Sequence, residues 1–592
     1  MFRNPTTILL PFVLLYCSIS PVSAQSPVLE AFFNDFTDTW VRSNPNQAVS
    51  AAYFTGEEQN RMEQQLTPQT RAWEHEQAAL ARSGLDQLAA LDHTTFSIGQ
   101  SLAAEVMQWQ LETVIADDAW GDNAFPINQH SGANVSLVNA LTVVHPFRNT
   151  RDVDNYLIRL ATLDERLEEA LDETRRRDEL GIRAPGFIVR STINQLQRFM
   201  APAPAANPLT TTVFKKTATM ADLSAAQRQD LTDAAATIVA GQIYPVLEQA
   251  IQVLEAQLPR TTEDAGLWRF ANGAEQYAHQ LRRFTTTNLT ADEIHEIGLQ
   301  EVARIETEMD ELFAQLGLTE GSLEQRMRAL EASLAFPDTD AGRQAIMTRI
   351  DAILEDAQAR TGTLFDRRPV AQVIARAYPE FRWANAAASY TAPPLDHSRP
   401  GVFQFPLRPE LLTEFELRTL VYHETVPGHH YQIALTMEDE NLPKFMQIRA
   451  LGGISAASEG WALYAERLAA ESDWYAGDIA GHIGQLSKAL FRARRLVVDT
   501  GLHAKGWTRQ QAIDYGIEAS EVERYVVNPG QACSYMIGQL KLVELREKMH
   551  QALGTAFSIQ DYHNLVLRTG IVPLDVLENV VDRYISEQTA SR

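Results

Sequence analysis

Two pairs of metal-binding side chains lie close together in one segment of the chain. Residues 421–432 read Val-Tyr-His-Glu-Thr-Val-Pro-Gly-His-His-Tyr-Gln, which places His423 beside Glu424 and His429 beside His430. Imidazole and carboxylate groups bind zinc, and a catalytic zinc site combines about three protein ligands with one position for water. In the frequent His-Glu-x-x-His arrangement, two histidines on one helix face share the ion and the glutamate acts as general base. His423 is therefore predicted as a zinc ligand and Glu424 as the base.

The spacing differs from that arrangement, because Pro427 stands where the second histidine would be. On an unbroken helix, residues six and seven positions further on are raised by about 9 Å and about 10.5 Å. Two imidazoles that far apart cannot both lie about 2.0–2.1 Å from one zinc ion. Pro427 has no N–H for the carbonyl of His423, and Gly428 tolerates unusual backbone angles. We therefore predict that the helix breaks here and that one of the next two histidines turns back toward His423.

A third ligand is predicted in the next helix. Glu459 follows the histidine pair after roughly 30 residues, at the start of the sequence Glu-Gly-Trp-Ala-Leu-Tyr. A catalytic site with two histidines and one glutamate matches the ligand sets that zinc enzymes use. Glu466, one heptad after Glu459, is predicted as a residue that supports the site or lies on the surface.

The elements around these motifs are predicted to be mostly α-helical. Leucines recur at intervals of three and four between residues 152 and 180, and Thr290 with Glu293 forms a capping box that opens a helix to about Leu316. Residues 369–376 and 402–405 instead favour strands, so a small sheet is expected directly before the metal-binding segment. We further predict that the strand at 402–405 is an edge strand that could bind extended peptide by strand addition.

Length and charge limit the classes of protein that the chain can represent. Its 592 residues exceed the usual single-core size, so we predict two lobes, at about 25–368 and 369–592. The formal net charge of −25 argues against nucleic acid and anionic membrane surfaces as partners. No pattern in the chain indicates an oligomeric state.

The N-terminus has the three zones of a secretory signal peptide. Arg3 precedes a mostly apolar run at 8–19, and Val22-Ser23-Ala24 forms a small-x-small cleavage site. The run is too short for a stable membrane span. Bulky Tyr16 precedes Cys17, which disfavours a lipoprotein signal. Residues 1–24 are therefore predicted as a cleaved signal peptide, and the mature protein is expected in the periplasm or outside the cell.

Cleavage after Ala24 would leave Cys533 as the one cysteine of the mature chain, so an internal disulfide is excluded. We interpret Cys533 as a small buried apolar residue rather than a nucleophile.

Both motifs together resemble the DUF885 family, which is related to the gluzincin metallopeptidases. The resemblance rests on His-Glu-Thr-Val-Pro-Gly-His-His at 423–430 and on Glu-Gly-Trp-Ala-Leu-Tyr at 459–464, and extends to segments at 281–299, 499–503 and 529–535. It implies a multi-helix, two-lobed fold with a deep cleft and a metallopeptidase site with one zinc ion. Other gluzincins carry Gly-His at the end of a shorter motif, so the resemblance favours His429 over His430 as the second ligand.

Several further residues are candidates for contacting the substrate. Peptide hydrolysis needs a hydrogen-bond donor for the oxyanion, and His503 and Tyr535 lie in the segments that resemble the family. Tyr390 could line the cleft. The arginines that could bind a substrate carboxylate are Arg494, Arg495 and Arg524, of which Arg495 is the preferred candidate.

The sequence therefore predicts an exported zinc metallopeptidase that acts on peptides. Two alternatives remain: a non-catalytic protein that binds peptide or metal on a peptidase fold, and an enzyme that hydrolyses non-peptide amides or esters with the same metal. The residues leave open whether the peptidase acts on chain ends or on internal bonds.

Overall fold

The computed structural model describes residues 26–378, 383, 387–396, 399–410 and 412–590. Helices hold 71% of the residues and strands 2%, which confirms the prediction of a mostly α fold with a small sheet. The predicted signal peptide at 1–24 lies outside the described residues. Among the residues that the structure describes, no helix combines the length and the apolar character needed to cross a membrane.

Sixteen α-helices of the described chain precede the sheet. They are α1 Pro27–Arg42, α2 Pro45–Ala51, α3 Gly56–Met62, α4 Arg71–Ala89, α5 Ile98–Asp118, α6 Ala133–Asn139, α7 Thr150–Ala161, α8 Leu163–Glu179, α9 Gly186–Met200, α10 Pro208–Thr217, α11 Ala225–Ile238, α12 Tyr244–Gln257, α13 Gly273–Thr285, α14 Ala291–Gln315, α15 Leu323–Ser333 and α16 Asp340–Arg360. The predicted capping box opens α14, because Thr290 Oγ1 accepts from the Glu293 N–H and Glu293 Oε2 accepts from the Thr290 N–H.

The sheet has three strands, β1 Val373–Ala377, β2 Ser389–Thr391 and β3 Gly401–Phe405, in the order β1-β3-β2. β3 runs parallel to β1 and antiparallel to β2. The prediction that 402–405 is an edge strand is therefore wrong: Gln404 pairs with Arg376 on one side and with Ser389 on the other. Since both neighbours already occupy its hydrogen-bonding edges, β3 cannot bind a peptide by strand addition.

Ten α-helices of the described chain follow the sheet and carry the site. They are α17 Glu414–Glu424, α18 His429–Glu438, α19 Lys444–Gln447, α20 Ser455–Glu471, α21 Ile479–Ala504, α22 Arg509–Asp514, α23 Ala519–Val527, α24 Ser534–Leu553, α25 Ile559–Thr569 and α26 Leu574–Ala590.

Two glycines bring α20 and α24 into backbone contact. A Cβ atom added to Gly460 would lie 2.5 Å from the Cα of Gly538, and one added to Gly538 would lie 2.1 Å from the carbonyl oxygen of Ala456. A side chain at either position would push the helices apart. The close approach brings the first turn of α20, which carries Glu459, next to the first turn of α24, which carries Tyr535.

One apolar core joins the N-terminal helices to the helices of the site. Its buried residues come from 29–111 and from 346–581, and they include Tyr422 on α17 and Trp461 on α20, both with no exposed surface. This packing holds the two metal-motif helices in a rigid, close-packed environment. The predicted lobe boundary at 368/369 stays a prediction.

Candidate metal centre

The helix that carries His423 ends directly after it, as the Pro-Gly pair predicts. α17 ends at Glu424, α18 begins at His429, and the Val426–Pro427 bond between them is cis. A Cβ atom added to Gly428 would lie 1.9 Å from the carbonyl oxygen of His423, so this close approach requires glycine. Trp461 Nε1 donates a hydrogen bond of 2.9 Å to the Pro427 carbonyl and holds the turn against α20.

The three predicted ligands converge. One ligand atom each from His423, His429 and Glu459 lies within 4.8 Å of the others. Glu459 Oε2 is 3.5 Å from His423 Nε2 and 3.2 Å from His429 Nε2. The rings of the two histidines are nearly perpendicular, with centroids 4.8 Å apart. The helix break therefore brings together side chains that an unbroken helix would keep apart.

These residues fit a zinc ion. Donor atoms about 2.0–2.1 Å from a tetrahedral zinc lie about 3.3 Å from one another, close to the two distances from Glu459 Oε2. That oxygen is buried and has no hydrogen-bond partner among the described residues. An unpartnered buried oxygen is costly unless something binds it, and a cation held jointly with two imidazole nitrogens would satisfy it.

Glu466 orients the first ligand. His423 Nδ1 donates to Glu466 Oε1 over 2.7 Å, and Thr419 Oγ1 donates to Glu466 Oε2 over 2.6 Å. Glu466 is 1% exposed, and Arg492 Nη2 lies 3.7 Å from Oε1. With its proton on Nδ1, His423 presents the lone pair of Nε2 to the cluster. Glu466 therefore lies buried against His423 and not on the surface.

Burial and charge act against each other in this cluster. Burial lowers the pKa of His423, but the adjacent carboxylates of Glu459 and Glu466 outweigh burial and raise the pKa to about 9. Burial also raises the pKa of Glu459, whereas His429 and His423 together hold it well below the ordinary value. The carboxylates thus give the pocket a strong preference for positive charge.

Glu424 lies beside the cluster and is 6% exposed. Its Oε2 atom is buried and makes no hydrogen bond to any described residue. Burial raises the pKa of Glu424, and the neighbouring His429 and His423 oppose that rise. A buried carboxylate with an unpartnered oxygen and a raised pKa can accept a proton and return it, as a general base must.

His430 points away from the cluster, whereas His429 faces Glu459. His430 Nε2 donates to the Ala371 carbonyl over 3.0 Å, and the Tyr390 hydroxyl donates to Nδ1 over 2.9 Å. Burial lowers the pKa of His430 to about 4, which fits a neutral ring in these contacts. His430 and Tyr390 therefore attach α18 to the sheet. Tyr390 is a candidate for lining the cleft, but its hydroxyl is used in this attachment.

Tyr535 is the predicted oxyanion donor that lies at the site. Its ring stacks on that of His423 with a centroid distance of 6.5 Å and an angle of 15°. The side chain is half-buried. Burial raises the pKa of its hydroxyl and the charge of Glu459 raises it further, so the hydroxyl keeps its proton and can donate it in a hydrogen bond.

His503 does not have a nitrogen available for that role. Its Nδ1 accepts from the Leu267 N–H over 3.2 Å, and its Nε2 donates to the Tyr525 carbonyl over 3.1 Å. Burial lowers the pKa of His503 to about 3. The prediction that His503 donates to an oxyanion finds no support in these contacts, because both nitrogens already serve the backbone.

The candidate arginines lie in different environments. Arg495 Nε donates to the Tyr525 hydroxyl and Nη2 contacts Glu521, both at 3.0 Å, while its guanidinium carbon lies 4.6 Å from the Tyr535 ring centroid. Arg524 Nη2 contacts the same Glu521 oxygen at 2.8 Å. Arg494 instead faces Glu306 on α14, at 3.1 Å.

Sequence reasoning missed Arg492, whose guanidinium carbon lies 6.0 Å from the Tyr535 ring centroid. Helical spacing was the available signal, since Arg492, Arg495 and Asp499 recur at three and four positions along α21 and share a face.

A cavity of about 570 Å³ lies next to the segments that carry the site. Tryptophan and amide side chains from α1, α4 and α13 contribute to its walls, together with residues 450–452 and 526–529. Residues 450–452 lead into α20 with Glu459, and residues 526–529 lead into the turn before Tyr535. The lining itself includes none of His423, Glu424, His429, Glu459 and Tyr535.

Comparison with known proteins finds one matching family and solved structures with the same fold. Residues 45–581 match the model of a family described as "Bacterial protein of unknown function (DUF885)". A solved structure described as a "putative lipoprotein from Colwellia psychrerythraea" has 28% sequence identity and a TM-score of 0.90, and covers 95% of this chain and 99% of its own.

A second solved structure is described as "a putative lipoprotein of unknown function from Shewanella oneidensis". It has 16% sequence identity and a TM-score of 0.67, and covers 93% of this chain and 99% of its own. At this identity the likeness shows the fold alone. No curated protein matches the chain.

Proposed function

The chain belongs to the DUF885 family, and we propose that it is an exported zinc-dependent metallopeptidase that hydrolyses peptide bonds. The observation that carries the proposal is the convergence of His423, His429 and Glu459 beside the buried Glu424. Two imidazoles, one carboxylate and an adjacent general base form the set of groups that metal-dependent hydrolysis of an amide requires.

His423, His429 and Glu459 would hold the ion. When bound, zinc supplies a Lewis acid that polarises the scissile carbonyl and lowers the pKa of water. Glu466 keeps His423 in the tautomer that directs Nε2 at the cluster, through the bond of 2.7 Å to Nδ1. Trp461 holds the Pro427 turn, so the position of His429 relative to His423 is fixed by buried contacts.

Glu424 takes the proton of the attacking water at its carboxylate and passes it to the nitrogen of the leaving amine. Its burial supports this role, because a raised pKa makes the carboxylate a stronger base than an exposed glutamate. The hydroxyl of Tyr535 donates a hydrogen bond to the oxyanion that forms at the carbonyl. Its stacking on His423 keeps the phenol next to the cluster.

The cavity that residues 450–452 and 526–529 help to line is large enough for a peptide. Its volume of about 570 Å³ lies in the range of about 300–1,000 Å³ typical of ligand pockets. Side-chain amides such as Gln47 and Gln280 can hydrogen-bond to peptide groups whatever the residue, and Trp40 and Trp73 offer apolar surface to side chains.

Export is part of the proposal. The signal zones at 1–24 support it, and both solved relatives are described as lipoproteins. Intact mass measurement of the mature protein separates the two forms: cleavage after Ala24 gives an unmodified chain that begins at Gln25, whereas an acylated Cys17 would identify a lipoprotein.

The test is a peptide-library digest with purified protein. We expect cleavage that a chelator abolishes and that added zinc restores. A protein that binds zinc but cleaves no peptide would favour the binding-protein alternative. Hydrolysis of ester or non-peptide amide substrates without peptide cleavage would favour the third candidate activity.

A further inference from the structure

Arg495 has an unused hydrogen-bonding edge beside the proposed oxyanion donor. The residue is 7% exposed, and its Nε and Nη2 atoms are engaged by Tyr525 and Glu521. Its Nη1 atom is buried and has no hydrogen-bond partner in the part of the chain that the structure describes. A buried guanidinium N–H without an acceptor is costly, and a carboxylate is the ligand whose geometry suits it best.

Three arginines lie in the surroundings of Tyr535, where the carboxylate of Glu459 also acts on its hydroxyl. The guanidinium carbons of Arg492 and Arg495 lie 6.0 Å and 4.6 Å from the centroid of its ring, and Arg524 shares Glu521 with Arg495. The carboxylates that the three arginines contact within the described residues are Glu466 and Glu521. Three guanidinium groups thus face two carboxylates, and the Nε atom of Arg492 is likewise buried without a partner. Both unpartnered atoms can donate hydrogen bonds to an anionic part of the substrate.

Arg495 lies close to the candidate metal centre. The guanidinium carbon of Arg495 is 4.6 Å from the centroid of the Tyr535 ring, and that centroid is 6.5 Å from the centroid of the His423 ring. The distance from Arg495 to His423 cannot exceed the sum of the two. An extended peptide advances about 3.3–3.6 Å per residue, so this span corresponds to no more than about three residues.

The group is also open toward solvent. Glu521, which bridges Arg495 and Arg524, keeps 26% of its side chain exposed, and Tyr535 is half-buried.

We propose that Arg495 receives the C-terminal carboxylate of the peptide substrate, so that the protein acts as a carboxypeptidase and releases fragments of one to three residues. The inference rests on the proposed function and specifies the substrate class of the same site. Arg492 and Arg524 add long-range attraction, and Glu521 fixes the guanidinium plane of Arg495 through the bond to Nη2.

The test compares a cleaved library peptide with its own C-terminal amide, using unaltered protein. A charge-assisted hydrogen bond corresponds to about a 10- to 100-fold effect. We expect the free acid to have a kcat/KM higher than the amide by that factor, and its products to include a C-terminal fragment of one to three residues. Acetylation of the N-terminus, in contrast, should change the rate little.

Two neighbouring arginines of α21 provide a matched pair of variants. Arg495→Gln should reduce the preference for the free acid to less than about threefold, mainly through KM for the acid. Arg494→Gln removes the same charge one residue away, on the side that faces Glu306, and should keep the preference. Circular dichroism and zinc content of both variants verify that fold and metal site are intact.

The outcomes separate this inference from the function on which it rests. Equal cleavage of acid and amide by the unaltered protein overturns the carboxypeptidase assignment and leaves the metallopeptidase proposal standing. Preserved preference in folded Arg495→Gln overturns the assignment to Arg495. A protein that cleaves no peptide of the library overturns both proposals.

Discussion

Two buried clusters of the molecule combine carboxylates with histidines, and they differ in how their polar atoms are satisfied. In the metal centre, Glu459 Oε2, Glu424 Oε2 and His429 Nδ1 have no hydrogen-bond partners among the described residues. In the second cluster, Asp499 accepts from the Tyr277 hydroxyl at 2.6 Å and from the Gly530 N–H at 3.0 Å, and His503 uses both nitrogens.

A shifted pKa alone therefore does not identify a reactive site. Burial raises the pKa of Asp499 to about 7 and lowers that of His503 to about 3, shifts as large as those at the metal centre. Yet the atoms of this second cluster are used within the protein, where they hold the turn at Gly530 that leads to Tyr535. The candidate metal centre differs in that three of its buried polar atoms have no partner among the described residues.

The largest effect is expected for Glu424→Gln, which removes the base and keeps the shape of the side chain. Loss of a general base reduces kcat by about 10²- to 10⁴-fold. Zinc content should stay at the level of the unaltered protein. The exposed Glu440 on the loop after α18 provides the control, since Glu440→Gln should retain full activity. An active Glu424→Gln protein would remove Glu424 from the mechanism.

A smaller effect is expected for Glu466→Gln, which weakens the bond that orients His423. Loss of such a partner lowers metal affinity by about 10- to 100-fold. Competition with a zinc-binding dye measures the change. Glu471→Gln, on the same helix but in surface ion pairs with Arg467 and Arg546, should leave zinc affinity unchanged. Equal affinities in the two variants would contradict the role given to Glu466.

The second cluster should respond in stability rather than in catalysis. His503→Phe leaves the Leu267 N–H and the Tyr525 carbonyl without their partner, at a cost of about 1–3 kcal/mol for a buried group. Thermal unfolding should register the loss, while zinc content per folded molecule stays constant. A loss of kcat without loss of stability would instead support a catalytic role for His503.

The smallest effect is a pH dependence of stability that Asp499 contributes. Its folded-state pKa of about 7 exceeds the ordinary value of 3.8, so the folded protein binds the proton more tightly than the unfolded chain. The free energy of unfolding should therefore decrease as pH rises from about 4 to 7, by roughly 1–3 kcal/mol. Urea unfolding at pH 5 and pH 8 measures the effect, and the free energy of unfolding of Asp499→Asn should lack this decrease. Identical pH dependence of both proteins would exclude Asp499 as its source.

Much of the metal centre could be predicted because its information is local. Pro427 removes a helical hydrogen bond and Gly428 permits the close approach to the His423 carbonyl, so the break at the end of α17 follows from two adjacent residues. The capping box at Thr290 is likewise a pattern of four residues. Such features need no knowledge of distant parts of the chain.

The features that could not be predicted depend on distant pairing. The central position of β3 is set by β1 and β2 together, and the strand pattern of 402–405 carries no sign of its neighbours. His503 resembles a catalytic histidine until its contacts with Leu267 and Tyr525 are known. The backbone contact of Gly460 with Gly538 also joins residues far apart in sequence.

The most direct test of the proposed zinc site compares the zinc content of three purified proteins after dialysis. They are the unaltered chain, His429→Ala and His430→Ala. The two substitutions remove neighbouring histidines, of which the first faces Glu459 and the second faces Ala371 and Tyr390. We expect about one equivalent of zinc in the unaltered protein and in His430→Ala, and almost none in His429→Ala. Absence of zinc from the unaltered protein, or equal zinc content in the two variants, would contradict the assignment of His423, His429 and Glu459 as the metal site.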